Sequence, residues 1–159
     1  MQVASMRKFD FHVFADYFQF YLQDEAADGN LGDSWTDEAV SRLLAIAPGT
    51  VGVGTVRNMQ VPVSVEVLDA QPEPDFEAWD HIAECSIEVP SGRIVIAGCT
   101  DYFPDAARIE VYPGDYRVRV SYGSLDKLSE DGLDGEDHYR VQLWQSPAIE
   151  PRVLKQRVA

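Results

Sequence analysis

The stretch DKLSEDGLDGED, residues 126–137, packs six carboxylates and one lysine into twelve residues. Oxygen donors suit a hard cation such as Ca²⁺, whose loops need their ligands at set positions. With Gly132 aligned to the obligatory glycine of an EF-hand loop, Lys127 takes the first ligand position and His138 the last, where acids are required. The EF-hand reading therefore fails, and a solvated polar loop is expected. Asp28, Asn30 and Asp33 in ADGNLGD carry oxygens without a ligand register and read as a turn. No metal and no cofactor are expected.

Nucleophilic catalysis needs a thiol or hydroxyl beside a base. Cys85 and Cys99 are the two cysteines, and His12, His81 and His138 are spread along the chain with no local pairing. Cys99-Thr100-Asp101-Tyr102 follows a strand-like run, but both cysteines lie in apolar surroundings and read as buried free thiols rather than as a bridge or a nucleophile. GxSxG, HExxH, CxxC and GxxxxGK[ST] are all absent, and the glycines of VGVGTV fall inside a strand, not a phosphate loop. An enzyme is not expected. Asp80-His81 with Trp79, Tyr102 and Phe103, joined by Trp35 and Trp144, could rim a small-ligand pocket, although rings near strand ends ordinarily pack the ends of the fold.

The elements around these residues are mostly strands. Period-two alternation marks 9–14, 16–24, 51–56, 61–69, 81–89, 93–98, 107–112, 116–122 and 138–144. PSG at 90–92 reads as a tight hairpin, and YPGDY at 112–116 places Pro-Gly as a type II turn wants them. In DSWTDEAVSRLL at 33–44, Ser34 can cap a helix whose first turn holds Asp37 and Glu38; Val40, Leu43, Leu44 and Ala47 form an apolar stripe, and Pro48-Gly49 ends it. The expected fold is all-β, an antiparallel β-sandwich with one short α-helix, in a single domain over residues 1–159; a barrel is the alternative.

A net charge of −14, from 13 basic and 27 acidic residues, repels nucleic acid and anionic membrane and favours a basic partner or a cation. The apolar runs are too short to cross a bilayer, and MQVASMRKFDF has no apolar region after its basic residues, so a cytoplasmic location is expected. Oligomeric state is not encoded in any readable feature.

DSWTDEAV, the short helix, GTVGVGTVRN with its Arg57-Asn58 pair and the strand VPVSVEV together resemble the bacterial competence-protein-J family of nuclease inhibitors. YFQFYLQDE before them and PGDYRVRVSY after them fit the same layout, so the resemblance spans roughly residues 16–122. The loop at 124–137 and the ending PRVLKQRVA have no counterpart in it, which marks a divergent member. The resemblance implies stoichiometric binding of a nuclease, without turnover. Trp35, Asp37 and Glu38 would contact the partner, and Arg57 would orient a carboxylate. A β-sandwich that binds a small ligand or cation is the alternative.

Overall fold

The computed structural model describes residues 6–158; MQVAS, on which the leader reading partly rests, lies outside them. The strands form two separate sheets, a sandwich and not a barrel. The six-stranded sheet runs in the order β1 (Met6–Phe14), β5 (Gln60–Leu68), β10 (His138–Gln145), β9 (Gly114–Gly123), β6 (His81–Val89), β11 (Arg152–Lys155). The five-stranded sheet runs β3 (Leu44–Ala47), β4 (Thr50–Gly54), β2 (Gln19–Asp24), β7 (Arg93–Gly98), β8 (Ala107–Glu110). Among the described residues no helix is long and apolar enough to cross a membrane.

One face of each strand supplies the core. Phe9, Phe11 and Val13 stand opposite Val65, Val63 and Val61 across β1 and β5, the aromatic and β-branched pairs that fit a pleated surface. Ala83, Cys85 and Ile87 of β6 pair with Val120, Val118 and Tyr116 of β9. Phe20 of the other sheet meets Tyr139 edge-on at 6.0 Å, and Tyr139 meets Tyr122 at 5.8 Å, so aromatic rings join the two layers.

Two local readings are corrected by the sheet order. PSG does turn the chain, with Gly92 N–H donating to the Val89 carbonyl, but β6 and β7 then enter different sheets. Asp24 fixes this corner by accepting from the backbone and hydroxyl of Ser91. Tyr112–Gly114 is likewise a crossing between sheets, with Gly114 at φ 145°, well beyond the φ of about +80° that a type II turn needs there. Tyr116 clamps that crossing by donating its hydroxyl proton to the Tyr112 carbonyl, 2.7 Å away. Finally, β5 and β10 are parallel, unlike every other pairing in the two sheets. The chain between them visits the opposite sheet through β7 and β8, and a long crossover leaves the return direction free.

The helix is shorter than its sequence pattern. α1 spans Asp37–Arg42 and is capped by Thr36, whose hydroxyl accepts from Ala39 N–H, not by Ser34. It ends because Leu43 adopts φ 60° and its carbonyl is taken by Gly54 N–H and by the Tyr122 hydroxyl. Leu44 and Ala47 then belong to β3, Pro48-Gly49 turns that strand into β4, and Val40 is exposed. The expected apolar stripe is thus divided between a helix and a strand.

Candidate protein-binding surface

Residues 31–43 lie across the outer face of the five-stranded sheet. Leu31, Ala39 and Ala45 form a small second core there, with Tyr21, Trp35 and Ala47 packed against it. Gly52 makes the contact close: a Cβ at that position would stand 2.9 Å from Leu31 Cδ1 and 2.9 Å from Trp35 Cζ2. Trp35 is half-buried on its own sheet and donates Nε1–H to Gln19 Oε1 at 2.9 Å. Asp37 and Glu38 are exposed, in the positive field of the α1 N-terminus, and Arg42 complements the other end.

Arg57 is not beside them. It is buried and donates Nε–H to Asp137 Oδ1 at 2.8 Å, with Asp137 fully buried. Tyr139 donates its hydroxyl proton to the other oxygen of Asp137 and accepts from Val56 N–H. Burial, and then the bond to Asp137, push the Tyr139 hydroxyl far above its ordinary range. Arg57 therefore orients a carboxylate of this chain, and the pair secures the foot of the acidic loop. Above it, Leu128 and Gly135 form a β-bridge, and Ser129 N–H donates to the Asp134 carbonyl at 2.8 Å. Asp131 accepts from Ser129 Oγ–H and Leu133 N–H, which holds its carboxyl below the usual range.

His81 connects the end of α1 to the segment after β11. Its buried ring sets Nε2 2.7 Å from the Arg42 carbonyl, while Arg157 N–H lies 3.1 Å from Nδ1. The carbonyl can only accept and the amide can only donate, so the neutral ring carries its proton on Nε2. Burial lowers its pKa from 6.5, opposed by the Arg42 carbonyl and reinforced by the Arg157 charge. An unfolded chain then takes up this proton first as pH falls, so the stability contributed by neutral His81 is complete above about 6.5 and is lost as pH drops below it towards the folded value. Thermal melts between pH 8 and pH 5 should show Tm declining below 6.5, with a flatter slope for His81→Gln, which cannot titrate. Equal slopes for the two chains would refute the assignment.

The remaining candidates are dispersed. Cys85 is buried and its thiol is pushed up to about 12 by burial, whereas Cys99 is exposed, contrary to expectation, because it stands just past the end of β7. Although Cys99 is exposed as a residue, partial desolvation of its thiol, and then the nearby Asp16 charge, raise the thiol too, the reverse of what activates a nucleophile. Trp35 covers the five-stranded sheet, whereas Trp79 stacks on Arg140 and Trp144 on Arg119 of the other sheet; Phe103 rests on Arg108, so these rings do not converge on one pocket. Among the described residues no group of three or more His, Cys, Asp or Glu side chains could hold a metal ion.

Sequence reasoning missed a charged row on the outer face of the six-stranded sheet. Fully buried Glu84 binds Arg119 at 2.8 Å, Arg152 at 2.6 Å and Arg117 at 3.7 Å. The outward positions of YRVRVSY signalled charge on that face, but nothing local named the partner.

The fold is that of ComJ from Bacillus subtilis, an inhibitor of the DNA-degrading activity of NucA. The two chains are 16% identical, with a TM-score of 0.71 over 89% of this chain and 99% of that one. The structure of crocagin biosynthetic gene J is also similar, at 19% identity and a TM-score of 0.55 over 92% of this chain and 100% of that one. No protein-family model and no curated protein matches the sequence. At these identities the likeness establishes the fold alone, over nearly the whole chain.

Proposed function

We propose that this protein is a cytoplasmic binding protein that blocks a nuclease by stoichiometric association, not by turnover. The observation that carries the reading is the ComJ fold over almost the entire chain. The charge of −14 supports it independently, because a nuclease cleft is basic and fixed carboxylates attract it quickly and in a salt-sensitive way. Asp37 and Glu38 are the contact carboxylates in this reading, with Trp35 beside them as an aromatic anchor. Arg57 contributes from inside, by holding the acidic loop in place.

Tagged protein should capture a basic nuclease from the native host's lysate, release it at a salt step, and inhibit it again when the salt is removed. Replacing Asp37 and Glu38 together by Asn and Gln should weaken capture about tenfold at low salt while the chain stays folded, with Tm lowered only by the lost interaction of two exposed charges with the α1 N-terminus. Unchanged affinity would remove these two residues from the surface. A lysate that yields no stoichiometric protein would sink the inhibitor reading itself.

A further inference from the structure

The segment 151–158 is basic in an acidic chain, with Arg152, Lys155 and Arg157 inside six positions. It pairs with β6 only over Ile82–Glu84, with a register shift between Val153 and Lys155. The segment separates two grooves. One, of about 460 Å³, faces Asp37 and Glu38; the other, of about 310 Å³, faces Asp80 and Asp126; Gln156 lines both.

The side-chain bonds of this segment, and the backbone bond that follows them, all run one way. Arg152 donates to the Glu84 carboxylate at 2.9 and 2.6 Å, Lys155 to the Phe76 carbonyl at 2.8 Å, Gln156 to the Ser41 carbonyl at 3.2 Å, and Arg157 N–H to His81 Nδ1 at 3.1 Å. The seat beneath it is a line of acceptors flanked by the carboxylates of Asp37, Glu38, Asp80 and Asp126, which outweigh the one cation lining the same grooves from outside the segment, Arg42. Val153 and Val158 are exposed and Pro151 and Leu154 are only half-buried, so the segment adds no fully buried apolar side chain to these polar bonds. An edge element held in this way opens at lower free energy than the strands behind it.

We propose that this seat is a docking surface for a basic, extended segment of the partner, which displaces residues 151–158, takes over their acceptors and adds a strand along β6. Charge complementarity and the occupant already seated there carry the inference, and strand addition is an established mode of peptide recognition. The identity of the partner as a nuclease rests on the preceding proposal; the chemistry of the seat does not.

The test uses the full chain and a labelled peptide of its own sequence, PRVLKQRV. In a Lys155→Ala/Gln156→Ala/Arg157→Pro variant the resident segment loses three anchors, since proline has no N–H to offer His81. This variant should bind the peptide at least tenfold more tightly than the wild-type chain does. A peptide carrying Glu at the positions of Lys155 and Arg157 should fail to bind. Excess PRVLKQRV should also release the captured partner from wild-type protein. Equal peptide binding by both chains would overturn the proposal, as would capture that the peptide does not disturb, which would leave the inhibitor reading standing. A variant that dimerises by exchanging its segments would assign the seat to a second copy and overturn the partner. Hydrogen exchange on the wild-type chain decides the matter if the variant does not fold: amides of residues 152–157 should exchange at least a hundredfold faster than those of β9, and equal protection would overturn the proposal.

Discussion

Replacing Glu84 by Gln should lower stability by about 3–5 kcal/mol, the usual result of removing one partner from a buried ion pair. At roughly 2–4 °C per kcal/mol for a chain of this size, Tm should fall by about 6–20 °C. The size of the effect follows from where the charges sit. Glu84 is fully buried and Arg119 is 1% exposed, at a separation of 2.8 Å. Arg119 also donates to the Pro72 carbonyl and lies 5.1 Å from the Trp144 ring, so it cannot swing out to water without giving up those contacts. Gln would leave this guanidinium buried against a neutral amide, with Arg117 and Arg152 also deprived of their shared carboxylate. The double variant Glu84→Gln/Arg119→Met should recover part of the loss, because the stranded charge goes with its partner. Urea melts of the single and double variants measure both quantities. A Glu84→Gln loss below about 1 kcal/mol would mean that the cluster behaves as a surface pair.

The sequence carried the strands well and the connections poorly. β6 and β7 match the runs 81–89 and 93–98 read from alternation, because one face of each strand is core. β3 escaped because LLAIA is apolar throughout, and a short apolar run reads equally as helix or strand. β11 escaped because four residues at a sheet edge show no period. PSG misled for a different reason: the same turn chemistry serves a hairpin and a corner between sheets, and only the long-range pairing of β6 with β9 distinguishes them. Of the candidate residues, the placement of Asp37 and Glu38 at the start of α1 was legible because it is local. Arg57 was legible only as an arginine after a strand. Its partner lies 80 residues away and joins it only once β4, β5 and β10 are in place. The acceptors for residues 151–158 are two carbonyls, a ring nitrogen and the Glu84 carboxylate, scattered from Ser41 to Glu84, which no spacing rule can gather.

That distant pair ties stability to the proposed function. Asp137→Asn should destabilise the chain by about 3–5 kcal/mol, since it leaves Arg57 buried without a counter-charge. Arg57→Met should cost a similar amount for the converse reason: Asp137 has no exposed surface through which to recover hydration. The partner of Arg57 at the loop tip is the Leu133 carbonyl, 3.4 Å away, so Arg57→Met removes this tie of residues 126–136 to the sandwich outright, and Asp137→Asn loosens it by releasing the guanidinium that makes it. Two measurements then separate the roles. Denaturation should report the full loss for both variants and a smaller one for Arg57→Met/Asp137→Leu, which removes both charges together. Capture of the partner, at a temperature where all the chains remain folded, should fall in every one of them, including the repaired double variant, if fixed carboxylates are what a basic cleft recognises. Restored stability with wild-type capture in the double variant would instead confine the pair to a structural role and shift the weight of binding to Asp37, Glu38 and the acceptor-lined seat beside them.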